Sequence, residues 1–324
     1  MAILRGHLLG LEPLSSGQIL ALLDLAEEAD RGHLPSHALR GRVVANCFFE
    51  PSTRTRTSFE LAARRLGAEV VNFDPERSSV LKGESLVDTA LTLEALGVDA
   101  VVLRHPCAGA PLQVSRSVRC SVVNAGDGMH EHPTQALLDL FTLRRAFGRV
   151  AGLRVVIVGD VLHSRVARST WWGLSKLGAQ VVFCGPPTLV PREFERLGAT
   201  VCHRLEEALP GADVVMALRM QAERQAAGFV PSMGEYHRLY GLTPERLRRA
   251  GPAAVLMHPG PMNLGVEVTP AAAYGDRSLV LQQVRHGVAV RSAVLYDLLA
   301  HQAEAAGPQP LERRELALSG SGRP

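Results

Sequence analysis

Phosphate chemistry is first suggested by the segment FFEPSTRTRTSFE, residues 48–60. An apolar run at residues 43–49 predicts a buried strand, a turn follows at Glu50 and Pro51, and a helix is expected to begin at Ser52. The first turn of a helix has unpaired N–H groups and partial positive charge, so it favours anions. Its side chains add hydroxyl and guanidinium donors: Ser52, Thr53, Arg54, Thr55 and Arg56. The segment therefore predicts a site for a tetrahedral dianion, and the simpler alternative is a helix start with two surface arginines.

Residues that could bind a carbonyl compound follow further predicted strands. Arg104 comes directly after a strand at residues 99–103, and a guanidinium can make paired hydrogen bonds to phosphate or carbonyl oxygens. His132 precedes a helix that begins at Pro133, where it could donate to a carbonyl oxygen and polarise it. Gln135 offers both a donor and an acceptor to an amide. In isolation, Arg104 would equally suit a surface ion pair, and His132 a helix cap.

These residues share one place in the predicted architecture, the carboxyl ends of parallel strands. Strands alternate with helices along the chain, which is typical of parallel α/β sheets. We predict strands at residues 43–49, 69–73, 99–103 and 121–124, and then at 154–158, 180–184, 213–218 and 254–257. Ligands of such sheets bind beyond the carboxyl ends of the strands, and the candidate residues recur there.

A helix from residue 133 to about 147 separates the two series of strands and is interpreted as a hinge. The predicted fold class is therefore α/β, with two domains, each a parallel sheet flanked by helices, joined by hinge helices. We assign residues 1–133 to the first domain and 134–287 to the second, with a final amphipathic helix at 288–304 that packs back on the first. Residues 305–324 combine prolines, charges and Ser-Gly pairs, so we expect a flexible tail.

Composition narrows the class of protein. A chain of 324 residues that is 46% hydrophobic and 21% charged suits two domains with full cores. Its net charge of +3 is not clustered, which argues against nucleic acid and allows an anionic substrate. The five cysteines form no C-x-x-C pair, so we expect structural thiols in a reducing cytoplasm. We expect neither a signal peptide in MAILRGHLLG nor a membrane span.

The STRTR sequence followed by SFE resembles the carbamoyl-phosphate signature of the aspartate/ornithine carbamoyltransferase family. The residues HPTQ at 132–135 resemble the family's H-P-x-Q, and the resemblance extends over about residues 5–303. In the family, this His holds the carbamoyl oxygen and this Gln the carbamoyl nitrogen. The resemblance implies a first domain that binds carbamoyl phosphate through Ser52, Thr53, Arg54, Thr55, Arg104, His132 and Gln135.

Lys82 lies in a polar loop with Ser78, and this loop alone would suggest a solvent-exposed turn. In aspartate members of the family, the loop reaches the active site of a neighbouring subunit. The resemblance therefore implies that Lys82 completes the phosphate clamp and contacts aspartate there, with Ser78 beside it. It also implies a homotrimer with shared sites, and it leaves open a larger assembly with regulatory or dihydroorotase chains.

The second predicted domain resembles the aspartate members. RMQAER at residues 219–224 resembles their R-x-Q-x-E-R, which implies that Arg219 and Gln221 bind L-aspartate. Arg165 matches the family's arginine for the carboxylate of the amino acid. Two arginines from separate strand ends also suit a dicarboxylate, which needs positive charge at both ends. The resemblance further implies that Glu50 bridges to Arg165 and Arg224 when the site closes.

The residues HPGP at 258–261 distinguish the branches, because ornithine members have H-C-L-P and aspartate members H-P-x-P. The resemblance implies that the carbonyl groups of Gly260 and Pro261 accept hydrogen bonds from the carbamoyl NH2. We expect a cis Gly260–Pro261 bond. Two residues depart from the usual pattern: Leu264 replaces an arginine near the entrance of the site, and His286 stands where asparagine is commoner.

The resemblance implies transfer of a carbamoyl group from carbamoyl phosphate to L-aspartate, an early step of pyrimidine synthesis. Its catalytic residues would be Arg54, Thr55, Lys82, Arg104 and His132. Direct attack by the amine needs no metal or cofactor, so catalysis would depend on orientation and on stabilising an oxyanion. Three alternatives remain: transfer to ornithine or a related amine, a degenerate binding subunit, and a nicotinamide dehydrogenase, although GDVLHS lacks the G-x-G-x-x-G of dinucleotide sites.

Overall fold

The computed structural model describes residues 2–220, 230 and 232–300 of the chain. The first sheet contains β1 (His7–Leu8), β2 (Val43–Phe48), β3 (Glu69–Phe73), β4 (Ala100–His105) and β5 (Ser121–Asp127). These strands lie in the order β1-β5-β4-β2-β3, and every pair is parallel. The helices of this half are α1 (Ser16–Asp30), α2 (Thr53–Arg65), α3 (Leu86–Ala95), α4 (Ala110–Ser115) and α5 (Pro133–Phe147).

A second parallel sheet follows α5. Its strands are β6 (Arg154–Val158), β7 (Gln180–Cys184), β8 (Thr200–Cys202), β9 (Val214–Ala217) and β10 (Val255–Met257), in the order β10-β9-β6-β7-β8. The helices are α6 (Arg165–Lys176), α7 (Leu205–Ala208), α8 (Met233–Tyr240), α9 (Pro244–Ala250), α10 (Pro270–Ala273) and α11 (Val280–Leu299). None of the helices within the described residues is both long and apolar enough to cross a membrane. The predicted class, two parallel sheets flanked by helices, is confirmed.

Helices α5 and α11 connect the two halves. α5 packs against α6 and α11, and α11 also packs against α1 and α2. Leu137, Leu140 and Phe141 of α5 are fully buried in a hydrophobic cluster that includes residues of both sheets. Central strands such as β2 are apolar along almost their whole length, because both faces of a parallel sheet are covered. One continuous core therefore fixes the strand ends of both sheets.

Two strands are longer than predicted. β4 continues to His105, because the carbonyl of Arg104 accepts the N–H of Phe49 at 2.8 Å and that of His105 accepts the N–H of Gly128 at 2.9 Å. β5 continues to Asp127. The sequence analysis also missed β1 and β8, since strands of two and three residues are too short for a periodic signal. The longer β4 is relevant to the site, because the sheet holds the backbone of Arg104.

The final helix begins at Val280, so its predicted start at residue 288 is wrong. Gln283 and Gly287 interrupt the apolar pattern that marks the rest of the helix. Gln283 is nonetheless buried, because its side-chain amide is satisfied by hydrogen bonds to His258 and Asp139. The guanidinium of Arg291 occupies the space beside Gly287. Residues 280–287, assigned to the second domain from sequence, thus belong to the helix that returns to the first half. The predicted helix end at residue 304 and the tail at 305–324 lie outside the described residues.

A buried carboxylate ties three segments together at the junction of the halves. Glu131 accepts the N–H of Leu11 at 2.8 Å, the N–H of Glu12 at 3.2 Å and the hydroxyl of Ser169 in α6 at 2.7 Å. The Ser169 oxygen in turn accepts the N–H of His132 at 2.8 Å. The segment before α1, the connection from β5 to α5, and α6 are therefore fixed to one another.

We predict that Glu131→Ala lowers the free energy of unfolding by about 2–5 kcal/mol, because the buried donors of Leu11 and Ser169 lose their acceptor. Urea denaturation of the purified protein measures this change. Glu28→Ala is the control, since Glu28 pairs with Arg31 and His33 on the surface. Its cost should stay below about 0.5 kcal/mol, and equal losses in the two variants would contradict the role given to Glu131.

Candidate active site

A cleft of about 410 Å³ opens beyond the carboxyl ends of the two sheets. Among the described residues, its lining includes five arginines and no carboxylate: Arg54, Arg104, Arg165, Arg219 and Arg291. Most of the site residues predicted from sequence come together here: Ser52, Thr53, Arg54, Thr55, Arg104, His132, Gln135, Arg165, Arg219, Gly260 and Pro261. The cleft is therefore suited to ligands with several negative charges.

The first turn of α2 forms one wall of the cleft. Ser52 precedes the helix with φ −162° and ψ 98°, and its side chain makes no capping hydrogen bond. Thr55 is buried, and the hydroxyl of Ser58 donates to the carbonyl of Arg54 at 2.7 Å, which fixes the turn. An anion bound here would meet backbone N–H groups, the positive end of the helix dipole and hydroxyl donors.

Arg54 brings its charge close to a second arginine and to the turn at Gly260. Burial and then the charge of Arg219 lower the pKa of the Arg54 guanidinium. The Cζ atom of Arg54 lies 2.8 Å from the position that a Cβ atom at residue 260 would occupy, and Gly260 has φ +65°. The Gly260–Pro261 bond is cis, as predicted. Glycine at position 260 therefore lets the guanidinium pack directly on the backbone of the turn.

Glu50 joins two arginines from different halves. Its Oε2 lies 3.3 Å from Nε of Arg104 in β4 and 2.7 Å from Nη2 of Arg165 in α6. The predicted contact between Glu50 and Arg165 is thus present. The other predicted partner, Arg224, lies outside the described residues. One carboxylate behind the cleft offsets part of the repulsion between the two arginines.

His132 is a buried, neutral hydrogen-bonding group in the cleft wall. It is 4% exposed, and its Nδ1 has no hydrogen-bond partner among the described residues. Burial, followed by the charges of Arg104, Arg165 and Arg291, holds the pKa of His132 well below its ordinary value. The imidazole therefore stays neutral near pH 7, and a neutral imidazole keeps one N–H that can donate to a carbonyl oxygen.

Sequence analysis missed a buried group of residues in the cleft wall and directly behind it. Asp139, on α5, accepts a hydrogen bond from Nε2 of Gln135 at 3.0 Å and one from Nε2 of Gln283 at 2.8 Å. Burial lowers the pKa of Arg291 to about 10, against the opposing charge of Asp139. The guanidinium of Arg291 lies 5.1 Å from the ring centroid of Phe59 in α2. Asp139 follows Gln135 by one helical turn, which is a detectable signal, whereas Gln283 and Arg291 are too distant in sequence for one.

His258 organises the turn that carries Gly260 and Pro261. Its Nδ1 accepts the N–H of Gly260 at 2.8 Å, so the ring proton is on Nε2, which lies 3.3 Å from Oε1 of Glu267. The N–H of His258 donates to Oε1 of Gln283 at 3.0 Å. The turn is thus connected to α11 through Gln283.

Four predicted residues are not among the described residues that line this cleft, and one of them, Arg56 of α2, is exposed. Lys82, at the end of a 3₁₀ helix (Ser79–Lys82), is exposed, and neither it nor Ser78 lines the cleft of its own chain. Gln221 lies outside the described residues. The roles given to Lys82 in a neighbouring subunit and to Gln221 stay predictions.

The two departures from the family pattern have different surroundings. Leu264 is 43% exposed and does not line the cleft. His286 is buried, with Nδ1 2.8 Å from the hydroxyl oxygen of Thr142 and its ring against Phe141. Because the Thr142 hydroxyl donates to the carbonyl of Leu138 at 2.7 Å, its oxygen accepts from His286. Asparagine could make the same donation, which accounts physically for the exchange.

A group of residues with metal-binding chemistry lies outside the cleft. Glu12, His130 and Glu131 offer ligand atoms within 4.8 Å of one another. Both carboxylate oxygens of Glu131 already accept hydrogen bonds from the protein, so this carboxylate has a structural role. The donors that line the cleft are cationic or neutral and suit anions better than metal ions.

Comparison with known protein families gives two matches that together span most of the chain. Residues 6–145 match the carbamoyl-phosphate-binding domain of aspartate/ornithine carbamoyltransferases, and residues 151–298 match the aspartate/ornithine-binding domain. The catalytic subunit of aspartate carbamoyltransferase from Moorella thermoacetica is 54% identical over 92% of this chain and 99% of its own. The corresponding subunit from Myxococcus xanthus is 57% identical over 89% and 98%.

Solved structures agree with the sequence comparison. Aspartate transcarbamoylase from Trypanosoma cruzi, in complex with N-(phosphonacetyl)-L-aspartic acid, superposes with a TM-score of 0.85 at 32% identity, covering 92% of this chain and 98% of its own. Ornithine carbamoyltransferase from Thermus thermophilus gives a TM-score of 0.82 at 31% identity, covering 91% and 99%. The backbone fold is therefore similar to that of enzymes with either second substrate.

Gly260→Ala should weaken binding of inorganic phosphate by about 10-fold or more, because the new Cβ would displace the Arg54 guanidinium, a charged phosphate donor. Isothermal titration calorimetry measures this affinity. Gly265→Ala is the matched control, since Gly265 also has positive φ, +84°, but no atom lies within 4 Å of its added Cβ. The control should strain the backbone and leave phosphate affinity unchanged. Equal phosphate affinities in the two variants would show that the position of the Arg54 guanidinium does not depend on a glycine at residue 260.

The lowered pKa of His132 predicts how its replacement changes stability with pH. Below pH 6.5 the unfolded chain gains a proton at this His while the folded protein does not, so stability falls as the pH drops. His132→Asn removes this contribution. The stability of the native sequence relative to the variant should therefore decrease below pH 6.5, by at most about 1.4 kcal/mol per pH unit. Urea denaturation at pH 7.5, 6.5 and 5.5 measures the difference, and a constant difference would show that folded His132 titrates normally.

Proposed function

Because the chain belongs to the aspartate/ornithine carbamoyltransferase family, we propose that its cleft binds carbamoyl phosphate and L-aspartate side by side. The protein transfers the carbamoyl group of carbamoyl phosphate to the amine of L-aspartate, giving N-carbamoyl-L-aspartate and phosphate. The observation that supports this assignment most directly is a cleft lined by five arginines and, among the described residues, no carboxylate. Both substrates are anions, and this lining attracts them together.

The phosphate group is assigned to the first turn of α2. Ser52, Thr53 and Thr55 offer hydroxyl and backbone donors, and Arg54 supplies a guanidinium. Burial, and then the charge of Arg219, lower the pKa of Arg54, so an anion between the two guanidinium groups would relieve a repulsion already present. Lys82 of a neighbouring subunit would complete this clamp. The leaving phosphate is thus stabilised where its negative charge increases.

The carbamoyl group is assigned to the wall between α2 and α5. Thr55, Arg104 and His132 would donate to its oxygen, and the neutral state of His132 makes it a hydrogen-bond donor without adding another charge. Gln135 and the carbonyl groups of Gly260 and Pro261 would accept from its NH2. Donors on the oxygen stabilise the tetrahedral oxyanion, while acceptors on the NH2 orient the carbonyl carbon.

The reaction needs no nucleophile from the protein. The amine nitrogen of aspartate forms a bond to the carbonyl carbon, and the bond from this carbon to the phosphate oxygen breaks. The amine proton passes to the departing phosphate, because no carboxylate lines the described part of the cleft to act as a base. A pH-dependent limb of the rate that disappears on substitution of one carboxylate would contradict this proton transfer.

L-aspartate is assigned to the second half of the cleft. Arg165, fixed by Glu50, and Arg219, which follows β9, would bind its carboxylates. Gln221 and Lys82 of a neighbouring subunit would add contacts. Arg165 is 5% exposed, so its charge is weakly screened by solvent and the attraction for a carboxylate is strong. Two separated arginines match the two carboxylates of this substrate.

The proposal extends to the domain assignment, the assembly and the cellular setting. We assign residues 1–133 and helix α11 to the carbamoyl-phosphate-binding domain, and residues 134–279 to the aspartate-binding domain. The boundary expected at residue 287 moves to 279 because α11 begins at Val280. A homotrimer is supported by the exposed position of Lys82 outside its own cleft. The five free cysteines support a reducing cytoplasm, and the product places the enzyme in pyrimidine biosynthesis.

We predict that Lys82→Ala and Arg54→Ala each nearly abolish carbamoylation of aspartate, and that mixing the two variants restores part of the activity. After dissociation and reassociation, about a quarter of the sites would combine intact Arg54 from one chain with intact Lys82 from its neighbour, because each site draws on two chains. Formation of N-carbamoyl-L-aspartate by the purified protein is measured, with ornithine as a parallel substrate.

A second mixture provides the control. Arg54→Ala and His132→Ala both remove residues from one chain's cleft, so no mixed site is intact and no activity should return. Recovery of activity in both mixtures would show that the recovery does not come from sites shared between chains. Activity without recovery in the first mixture would retain the reaction and remove the shared role of Lys82. A wild-type protein that carbamoylates ornithine and not aspartate would overturn the proposed second substrate.

A further inference from the structure

Asp139 is a buried carboxylate that no step of the reaction uses directly. Its Oδ1 accepts Nε2 of Gln135 at 3.0 Å and Nε2 of Gln283 at 2.8 Å, and its Oδ2 accepts the hydroxyl of Thr170 at 3.3 Å. Asp139 is 0% exposed and does not line the cleft. An ionised carboxylate only accepts hydrogen bonds, so each glutamine must turn its NH2 group towards Asp139.

This contact determines which end of the Gln135 amide is available to a ligand. The NH2 of Gln135 is engaged by Asp139, and no donor among the described residues reaches its Oε1. Gln135 lines the cleft. The amide therefore offers the cleft a hydrogen-bond acceptor. Without the carboxylate, the amide could rotate and present its NH2 instead.

The carboxylate of Asp139 also fixes the turn that carries Gly260 and Pro261. Gln283 donates to Asp139 with Nε2, and its Oε1 accepts the N–H of His258 at 3.0 Å. His258 then holds the N–H of Gly260 with Nδ1 at 2.8 Å. One carboxylate thus connects Gln135 on α5 to the turn that carries Gly260 and Pro261, the other acceptors assigned to the carbamoyl NH2.

We propose that Asp139 is a positioning residue that makes the cleft select a carbamoyl group by its NH2, because it keeps the Gln135 oxygen turned towards the substrate. The inference rests on the proposed carbamoyl transfer. Acetyl phosphate carries a methyl group where carbamoyl phosphate carries the NH2, with the same carbonyl and phosphate groups. A site built to bond an NH2 rejects an analogue without it, since its buried acceptors would be left unpaired.

The charge state of Asp139 decides the conditions of a test. Burial raises the pKa of Asp139 to about 7, although its hydrogen bonds and the charge of Arg291 counteract the rise. A protonated Asp139 could donate to one glutamine oxygen, so the positioning requires the ionised form. Assays at pH 8.5 keep the carboxylate ionised in the wild type.

Asp139→Asn keeps the shape of the side chain and replaces one acceptor oxygen with an NH2 donor. The selectivity ratio to be measured is the inhibition constant of acetyl phosphate divided by the KM for carbamoyl phosphate, at saturating aspartate. The variant should raise this KM by about 10-fold or more, leave the inhibition constant of acetyl phosphate nearly unchanged, and so lower the ratio by about 10-fold or more.

Asp297→Asn is the matched control for burying an amide in place of a carboxylate. Asp297 is buried and accepts the N–H groups of Ile3 and Leu4, each at 2.8 Å, and it does not line the cleft. This variant should lose stability with an unchanged selectivity ratio. If Asp139→Asn does not fold, Gln283→Met tests the connection to His258, and it should lower the ratio by loosening the turn at Gly260.

The outcomes separate the inference from the reaction it rests on. A lower ratio in Asp139→Asn or in Gln283→Met, with no change in Asp297→Asn, would support the positioning role. An unchanged ratio in a folded Asp139→Asn, or in Gln283→Met where the first does not fold, would overturn the role and leave carbamoyl transfer standing. A wild-type protein without carbamoyl transfer would remove the proposed function itself.

Discussion

The structure depends on holding like charges together. Five guanidinium groups of the described residues line one cleft. Two unit charges about 4 Å apart repel by about 1 kcal/mol in bulk water and about 4 kcal/mol near a protein surface. The fold offsets this repulsion from behind the cleft wall. Glu50 contacts Arg104 and Arg165 and offsets part of their combined charge, the Phe59 ring faces Arg291, and the ionised form of buried Asp139 adds a second negative charge. The remaining positive potential is directed at the substrates.

The same positive potential shapes the other polar groups of the site. After burial, which is the larger cause, it lowers the pKa of His132, and the resulting neutral imidazole can donate a hydrogen bond to an oxyanion. It also favours the ionised form of Asp139, although burial opposes that form. In the proposed reaction, no side chain therefore acts as a general base. Its chemistry comes from donors fixed in position before the substrates bind, which avoids reorganisation during the reaction.

Much of the fold and of the site could be predicted from sequence where the signal was local. The helix start at Ser52, the arginine near the end of β4 and the turn at Gly260 each combine a strand end with characteristic residues, and all reach the cleft. The prediction failed where partners are distant in sequence. Residues 280–287 were assigned to the second domain, yet the roles of Gln283 and Gly287 are set by Asp139, His258 and Arg291. The role proposed for Lys82 depends on a second chain, which no local pattern describes.

Charge, more than backbone geometry, separates the two candidate second substrates. The chain superposes on an ornithine enzyme nearly as well as on an aspartate enzyme, so the fold does not decide between them. Both amino acids carry an α-amino group, but the only amine of aspartate is the one that attacks and it must be uncharged to react. Ornithine has two amines, so the amine that does not react would stay in the cleft as an ammonium group, and the described lining contains no carboxylate to receive it. Burying an unpaired cation beside five arginines is strongly unfavourable. Aspartate instead brings a second carboxylate, which Arg165 and Arg219 can bind from separate strand ends. The preference for aspartate therefore follows from electrostatics, independently of the sequence motifs that first suggested it.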